Sequence, residues 1–352
     1  MLSQKQLGEI KEHLLKAQNP IFFFDNDPDG LCSFLILQRY IQKGVGIPIR
    51  SFPEMNVDYF KKVEEYKSDY VFILDKPLVS KLFFEEIRKI NIPVVWIDHH
   101  KMENIFVPDF VNYFNSFSLV ENKKEINNEP TTYLCYKSTL KKEDLWIAVI
   151  GCISDRFTPE FYEEFKKNYP DLSYNSKDAF EIFYNSPIGT MSKLISFGLK
   201  DSITNINKML KFLISTKSPY ELLEETNKNR EMYYKFNQIS KKLKKLVEKA
   251  VSLADEDKIL FFQYGGDLSI SSDLSNELNY LFPNKIIVVI YVSGVKANIS
   301  VRGEKVKELI LDVLKGIPNS SGGGHENAIG AQVRIEDIEK FRELLYKKFF
   351  SN

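Results

Sequence analysis

The sequence predicts an α/β protein with a parallel-sheet domain first, a smaller α/β domain at the C-terminus and a helical linker between them. Short apolar, β-rich runs alternate with helical stretches from residue 20 to about 155. Strands and helices that alternate at this spacing form crossover units around a parallel sheet. Strand-like runs are missing between 156 and about 250 and return after 255, and 352 residues are enough for two ordinary cores.

Three apolar runs of buried-strand length predict strands in the first domain: IFFF at 21–24, YVFIL at 70–74 and VVWI at 94–97. The stretches LCSFLILQRYIQKG and LVSKLFFEEIRKI between them have helical patterns. The run LWIAVIGCI at 145–153 is apolar throughout, so it fits either a strand or a buried helix. Periodicity does not separate the two, and we favour the helix.

The middle of the chain is predicted to be helical, with breaks at Pro170, Pro187 and Pro219. The stretch at 227–250 carries eight Lys or Arg residues against two Glu, and its apolar residues recur at helical spacing. This pattern predicts a solvated connecting helix. The alternative is a basic helix beside a nucleic-acid cleft.

Strand and helix patterns return in the C-terminal part. Strands are predicted in KILFFQY, KIIVVIYV, VKANISVR and IGAQVRI, and helices in SSDLSNELNYLF, EKVKELILDVLKG and EDIEKFRELLYKKFF. We therefore expect a first domain at 1–190, a helical connector at 191–254 and a second domain at 255–352. A linker of this kind is expected to leave a cleft between the domains.

Composition and charge limit the class of protein. Lys plus Arg and Asp plus Glu both number 48, so the net charge is zero, which argues against a uniformly positive surface but not against a local basic groove. No apolar run reaches the ~20 residues of a membrane span, and the N-terminus is typical of an amphipathic helix rather than a signal peptide. The scattered Cys32, Cys135 and Cys152 are expected to be reduced core thiols. We expect a cytoplasmic protein without a membrane partner.

Acidic residues and histidines follow the predicted strands of the first domain. The clusters are Asp25-Asn26-Asp27-Pro28-Asp29-Gly30, Asp75, Asp98-His99-His100 and, in GCISDRF, Asp155. Ligands collect at the carboxyl ends of strands in an open parallel sheet, so we expect the first three clusters to meet at one crevice.

The residue types in these clusters predict a metal centre. Carboxylates and imidazoles without thiolates suit Mn²⁺ or Mg²⁺. Two such ions ~3.5–4 Å apart can bind a phosphate oxygen and generate hydroxide for in-line attack. Taken alone, the three aspartates of the first cluster would predict only a solvated turn that caps the following helix. Together with the other clusters, they favour metal binding.

These residues, in this order, resemble the DHH phosphoesterase superfamily, which is named for the motif seen here as Asp98-His99-His100. DNDPDGLCS resembles its first motif, the aspartate of ILDKP its second and the aspartate of GCISDRF its fourth. The family also has a C-terminal companion domain, DHHA1. Its glycine-rich motif resembles SSGGGHENAIGA at 320–331, and its S-x-R segment resembles ISVRG at 299–303.

The resemblance implies a metal-binding role for each matching residue of the first domain. Asp27 and Asp29 match the two metal-binding aspartates of the first motif. Asp75 matches the aspartate that bridges two metals. His99 and Asp155 match ligands of the second metal.

The resemblance also implies two catalytic residues and includes one departure. His100 matches the histidine that faces the substrate phosphate rather than the metal, and Asp98 is expected to orient its neighbouring histidine. Some members, such as the pyrophosphatases, have a metal-binding histidine where this chain has Phe23, which cannot ligate. RecJ-like nucleases lack that histidine too and have an aspartate at the position of Asp25. We therefore expect Asp25 to complete the first metal site, and the pattern argues against a pyrophosphatase.

The C-terminal motif predicts a substrate site. Gly322, Gly323 and Gly324 expose backbone N–H groups and permit positive φ, which predicts an anion-binding loop. His325 and Arg302 can add charge-assisted hydrogen bonds to a phosphate or a terminal nucleotide. The alternative for the glycines is a flexible turn.

We therefore expect a Mn²⁺- or Mg²⁺-dependent phosphodiesterase that holds two ions. It would be an exonuclease that hydrolyses single-stranded DNA or RNA, or short oligonucleotides, from one end. One alternative is a cyclic-dinucleotide phosphodiesterase or phosphonucleotide phosphatase, which would not need the basic stretch from Lys228 to Lys249. Another is a non-catalytic, replication-associated nucleic-acid-binding protein, which should have lost ligands that this chain keeps. Replication or repair proteins are further candidate partners.

Overall fold

The computed structural model describes residues 1–51, 53–101, 105–117 and 129–351. The chain divides into two compact units, Met1–Phe236 and Asn237–Asn352. None of the helices in the described ranges combines the length and the apolar character that a membrane span requires.

The first unit is built around a parallel sheet. Its strands are β1 (Pro20–Asp25), β2 (Val45–Ile49), β3 (Tyr70–Leu74), β4 (Val94–Asp98) and β5 (Val111–Asn115). They are ordered β2-β1-β3-β4-β5, and every neighbouring pair is parallel. The predicted parallel-sheet class is confirmed.

Helices make up the rest of the first unit. They are α1 (Gln4–Lys16), α2 (Pro28–Ile41), α3 (Phe60–Tyr66), α4 (Lys81–Ile90), α5 (Thr131–Thr139), α6 (Leu145–Ser154), α7 (Tyr162–Asn168), α8 (Ala179–Asn185), α9 (Pro187–Gly198), α10 (Ile203–Ser215) and α11 (Pro219–Leu223). A longer helix, α12 (Arg230–Ser252), contains the boundary between the two units. The predicted connector at 191–254 begins within α9 and contains α10, α11 and α12.

The three strands predicted from apolar runs are confirmed as β1, β3 and β4. Alternate side chains enter different apolar clusters. Phe22 and Phe24 pack in a cluster with residues of α2, α5 and α6, whereas Phe23 packs in a cluster with Phe83 and Phe84 of α4. Because both faces of the sheet are covered, these strands are apolar throughout instead of alternating with polar residues.

The two outer strands, β2 and β5, were not predicted. β2 contains Gly46 and Pro48, residues that strand interiors disfavour, and its edge position tolerates the proline. β5 contains Asn112 and Asn115, which interrupt its apolar pattern. The helix predicted at 145–153 is confirmed as α6, which is apolar on all sides because it packs against α2, α5 and α9.

The second unit contains a smaller, mixed sheet. Its elements are β6 (Ile259–Gly265), α13 (Ser271–Leu281), β7 (Ile286–Ser293), β8 (Lys296–Arg302), α14 (Val306–Leu314), β9 (Ser321–His325), β10 (Ala328–Arg334) and α15 (Ile338–Ser351). The order is β6-β7-β8-β10-β9, with β6 and β7 parallel and the other neighbours antiparallel. The four predicted strands and three predicted helices are confirmed.

The glycine-rich segment differs from the predicted loop. Gly322, Gly323 and Gly324 lie in β9, an exposed edge strand that pairs with β10. The ladder uses only backbone groups, so three glycines can form a strand that side-chain patterns do not predict. Gly324 has a φ of 147°, and a Cβ atom there would lie 2.4 Å from the carbonyl oxygen of Ala328. The strand therefore requires glycine at this position.

Candidate metal centre

The register of the first sheet brings the acidic clusters to one edge. Phe24 pairs with Leu74, and Leu74 pairs with Ile97. Asp25, Asp75 and Asp98 follow these residues directly, so they lie at the carboxyl ends of three adjacent strands, as predicted. Asp75 has a φ of 60°, and its N–H donates to the carbonyl oxygen of Ile97 at 2.9 Å.

His99 lies at the centre of the site. Its Nε2 atom is 3.3 Å from Asp75 Oδ1, 3.5 Å from Asp155 Oδ2 and 3.8 Å from Asp29 Oδ2. The His99 side chain is only 1% exposed. Four residues that are far apart in sequence therefore meet around one imidazole nitrogen.

The start of α5 positions the carboxylate of Asp29, which lies in the first turn of α2. The backbone N–H groups of Thr131 and Thr132 donate to its two oxygens at 2.9 and 2.8 Å. The Thr131 hydroxyl also donates to Asp75 Oδ1 at 3.2 Å. Sequence analysis missed both threonines, although PTT at the start of a helical stretch is typical of a helix N-terminus.

Crowding of the carboxylates changes their acidity. Burial raises the pKa of Asp75 well above its usual range, and the charges of Asp29 and Asp27 add to this effect. Burial also raises the pKa of Asp29, against the opposing charge of His99. The Asp27 side chain is exposed at the surface. Its pKa is nevertheless raised to about 7, because nearby protein atoms remove part of its hydration and because Asp25 and Asp29 repel its charge. A cation in the site would relieve this repulsion.

His100 and Asp98 form a second arrangement at the end of β4. The Nδ1 atom of His100 lies 2.8 Å from Asp98 Oδ1, and the amide of Asn115 donates to the His100 carbonyl oxygen at 3.0 Å. Burial alone would lower the pKa of His100, but the charge and hydrogen bond of Asp98, together with Asp155 and Asp27, raise it to about 9. Asn115 belongs to β5, a strand that was not predicted.

Asp25, the last residue of β1, is paired with a lysine. The Nζ atom of Lys76 lies 3.2 Å from Asp25 Oδ1. Asp27 caps α2 by accepting a hydrogen bond from the Gly30 N–H at 2.9 Å. Lys76 follows Asp75 directly in ILDKP, and sequence analysis gave it no role.

The predicted substrate residues belong to the second unit. Arg302 is 7% exposed; its guanidinium donates to Asn276 Oδ1 at 2.6 Å and to Ser272 Oγ at 2.9 Å, both on α13. Gly322, Gly323, Gly324 and His325 are exposed in β9. Their binding of substrate stays a prediction.

The donors around His99 fit a hard or borderline divalent ion. Among the described residues, two groups have donor atoms that all lie within 4.8 Å of one another: Asp75, His99 and His100, and Asp29, His99 and Asp155. Carboxylate oxygens with imidazole nitrogen and no thiolate suit Mn²⁺ or Mg²⁺. The site therefore has the chemistry of a metal centre.

Comparison with known proteins adds a family match and several similar folds. The DHHA1 domain family matches residues 238–350. RecJ from Thermus thermophilus in complex with Mn²⁺ is similar over 98% of this chain and 54% of its own, at 16% identity and a TM-score of 0.70. The present chain thus spans about half the length of that RecJ. None of the curated protein sequences matches the chain.

Two further structures have the same overall fold. Exonuclease RecJ bound to manganese is similar over 98% of this chain and 94% of its own, at 15% identity and a TM-score of 0.67. The pGpG-specific phosphodiesterase PggH from Vibrio cholerae is similar over 95% of this chain and 100% of its own, at 14% identity and a TM-score of 0.50. The chain therefore has the fold of these RecJ and PggH structures, and its residues 238–350 match the DHHA1 domain family.

Proposed function

We propose that this protein is a metal-dependent phosphodiesterase that hydrolyses single-stranded nucleic acid or short oligonucleotides from one end. The observation that carries the proposal is the approach of Asp29, Asp75 and Asp155 to His99 Nε2, within 3.3–3.8 Å. A bound divalent cation would relieve the repulsion between carboxylates assembled so closely. The likeness to two RecJ structures, one of them named an exonuclease, supports the choice of substrate.

In this proposal, Asp29, Asp75, His99 and Asp155 hold the metal. The bound metal would supply positive charge at the scissile phosphate and activate water for attack on phosphorus. His100 contacts the phosphate. Asp98 holds the Nδ1 side of its ring, which fixes the orientation of the imidazole at the end of β4. With a pKa of about 9 in the metal-free protein, His100 carries a positive charge at neutral pH, which favours an anionic substrate.

The basic face of α12 favours a polynucleotide over a small dinucleotide. α12 buries Ile239, Leu243 and Val247, and it exposes several cationic residues on its other side. The exposed cations are Arg230, Lys241, Lys244, Lys245 and Lys249. Such a row can contact successive phosphates of a strand, and its contribution should weaken as salt rises.

A dinucleotide phosphodiesterase is the second candidate, because the pGpG-specific enzyme matches along its whole length. Substrate length separates the two candidates. If polynucleotides are the substrate, replacing Lys241, Lys244 and Lys245 together by Gln should weaken binding of long strands and leave dinucleotide hydrolysis unchanged. Equal rates on dinucleotides and long strands would favour the dinucleotide enzyme.

The direct test is Mn²⁺-dependent digestion of end-labelled DNA and RNA ladders. We expect shortening from one end by the wild-type protein and no products from His99→Ala or Asp75→Ala. Asp109→Ala is a suitable control, because Asp109 is exposed and pairs only with Arg88 among the described ion pairs. Hydrolysis that survives in His99→Ala would refute the assignment of this site.

A further inference from the structure

A lysine side chain lies within the acidic centre. The Lys76 side chain is 4% exposed, and its Nζ atom donates to Asp25 Oδ1 and to the carbonyl oxygen of Ser51, both at 3.2 Å. The indole N–H of Trp96 donates to the Lys76 carbonyl oxygen at 2.8 Å, which fixes the backbone at this position. A buried ammonium requires a paired negative charge, and Asp25 supplies it.

Asp25 is also separate from the donors that could share an ion. Among the described residues, both groups of mutually close donors contain His99, and neither contains Asp25 or Asp27. For Asp25 to bind a divalent ion, the ion would have to displace the ammonium of Lys76. That ammonium would then be left without its carboxylate partner in a buried position, which is unfavourable.

We propose that Lys76 serves as a built-in cation in place of a second divalent ion, so that the centre binds one ion rather than two. The ammonium neutralises Asp25, and the single ion is held by Asp29, Asp75, His99 and Asp155. This inference assumes one part of the proposed function, namely that the centre binds a divalent ion. It replaces the expectation that Asp25 completes a first metal site.

The experiment counts bound ions in the full-length protein. Metal-free protein is titrated with MnCl₂ by calorimetry, bound manganese is measured by elemental analysis, and the electron paramagnetic resonance spectrum is recorded. We expect one Mn²⁺ per chain and the spectrum of an isolated ion. Lys76→Met removes the charge but keeps most of the side-chain volume, so Asp25 becomes available and the count should rise to two.

Two variants separate ligands from non-ligands. The double variant Asp25→Asn/Lys76→Met removes the ion pair without leaving an unpaired charge, so the count should stay at one and the Kd for Mn²⁺ should be unchanged, whereas Asp29→Asn should raise the Kd at least about tenfold. Two bound ions with a spin-coupled spectrum in the wild type would overturn the inference, as would a tenfold loss of affinity in the double variant. If Lys76→Met does not fold by circular dichroism, the wild-type count and spectrum still decide. A wild-type protein that binds no ion would refute the metal centre itself, and with it the proposed function.

Discussion

Two neighbouring histidines have different surroundings at the end of β4. His99 is 1% exposed and directs Nε2 toward three carboxylates, whereas His100 is 23% exposed and directs Nδ1 toward Asp98. The two rings lie close together, with centroids 4.5 Å apart, and both approach Asp75 Oδ1, but the shortest contact of His100 Nδ1 is with Asp98. These surroundings underlie the proposed ligand role of His99 and the proposed phosphate contact of His100.

Substituting His100 by Ala is expected to lower the rate of phosphodiester hydrolysis by about 10²–10⁴-fold, the range typical of a positioned acid or hydrogen-bond donor. The Kd for Mn²⁺ should change little, because His100 is expected to contact the substrate. His99→Ala should lose both activity and Mn²⁺ binding. If His100→Ala weakens Mn²⁺ binding as much as His99→Ala does, His100 is a ligand in the donor group with Asp75.

Leu140 has a backbone conformation that favours glycine. It follows α5 with a φ of 50°, and its side chain is 61% exposed. Leu140→Gly should raise the free energy of unfolding by about 0.5 kcal/mol, because the relief of left-handed strain exceeds the entropy that glycine adds to the unfolded chain.

The matched control for Leu140 is Leu15, which is 55% exposed but lies inside α1. Leu15→Gly should lower the free energy of unfolding by about 0.5–1 kcal/mol. Urea unfolding curves measure both changes. Changes of the same sign in the two variants would contradict the explanation.

The acidic and histidine residues of the site could be predicted because most of them lie at or just after the ends of apolar strands, and Asp155 ends the apolar helix α6. Their supporting residues could not. Lys76 contacts Asp25 across 51 positions of sequence, and Thr132 contacts Asp29 across 103. These contacts depend on how α5 packs against the sheet edge, and no local pattern encodes that packing.

Among the elements, Arg39 connects α2 to the start of α6 by a buried ion pair and to the end of α10 by hydrogen bonds. Arg39 of α2 lies 2.7 Å from Asp144, and their side chains are 9% and 0% exposed. Its guanidinium also donates to the carbonyl oxygens of Leu213, Ile214 and Thr216, at the end of α10. One side chain thus donates to one carboxylate oxygen and to three carbonyl oxygens at a helix end.

Arg39→Met is expected to lower the free energy of unfolding by about 3–5 kcal/mol, because it leaves the Asp144 carboxylate buried without its partner. Arg88→Met tests the same chemical change in the exposed pair with Asp109, where the loss should be at most about 1 kcal/mol. Urea unfolding followed by circular dichroism measures both. Equal losses of unfolding free energy in the two variants would show that burial of the ion pair does not determine how much stability is lost.

The strands that escaped prediction are edge strands. β2 and β5 form the two edges of the first sheet, and β9 forms one edge of the second. An edge strand needs fewer apolar side chains than a central strand, because less of it is covered. Gly46, Asn112 and the three glycines of β9 are acceptable there, and they remove the periodicity on which sequence analysis depends.

For the whole molecule, the carboxylate cluster makes stability depend on pH and on metal. Asp27 has a pKa of about 7 in the metal-free fold against 3.8 for an ordinary aspartate, and the pKa values of Asp29 and Asp75 are also raised. A raised folded-state pKa means that the folded protein holds protons that the unfolded chain has released. The stability that these protonated carboxyl groups contribute is therefore fully present at low pH, and it is lost as the pH rises through their pKa values in the folded protein.

The metal-free protein should accordingly have a lower melting temperature at about pH 8 than at about pH 6, and Mn²⁺ should raise the melting temperature more at the higher pH. At the lower pH the ion must displace protons from Asp29 and Asp75, the proposed ligands with raised pKa values. Differential scanning fluorimetry with and without MnCl₂ at both pH values measures this. Asp27→Asn should make the melting temperature less dependent on pH. If this variant has the same pH dependence as the wild type, groups other than Asp27 cause it.

Three helix ends meet at the metal centre: α2 begins at the Asp27 cap, α5 begins with the amides that hold Asp29, and α6 ends at Asp155. The aligned peptide dipoles of a helix give its beginning a partial positive charge and its end a partial negative charge. The N-termini of α2 and α5 therefore stabilise the negative charge of the carboxylates in the absence of an ion. The C-terminus of α6 adds to the attraction for a cation. The proposed ligands are therefore held in place by main-chain electrostatics before an ion binds, and we expect metal binding to require little reorganisation of the surrounding protein.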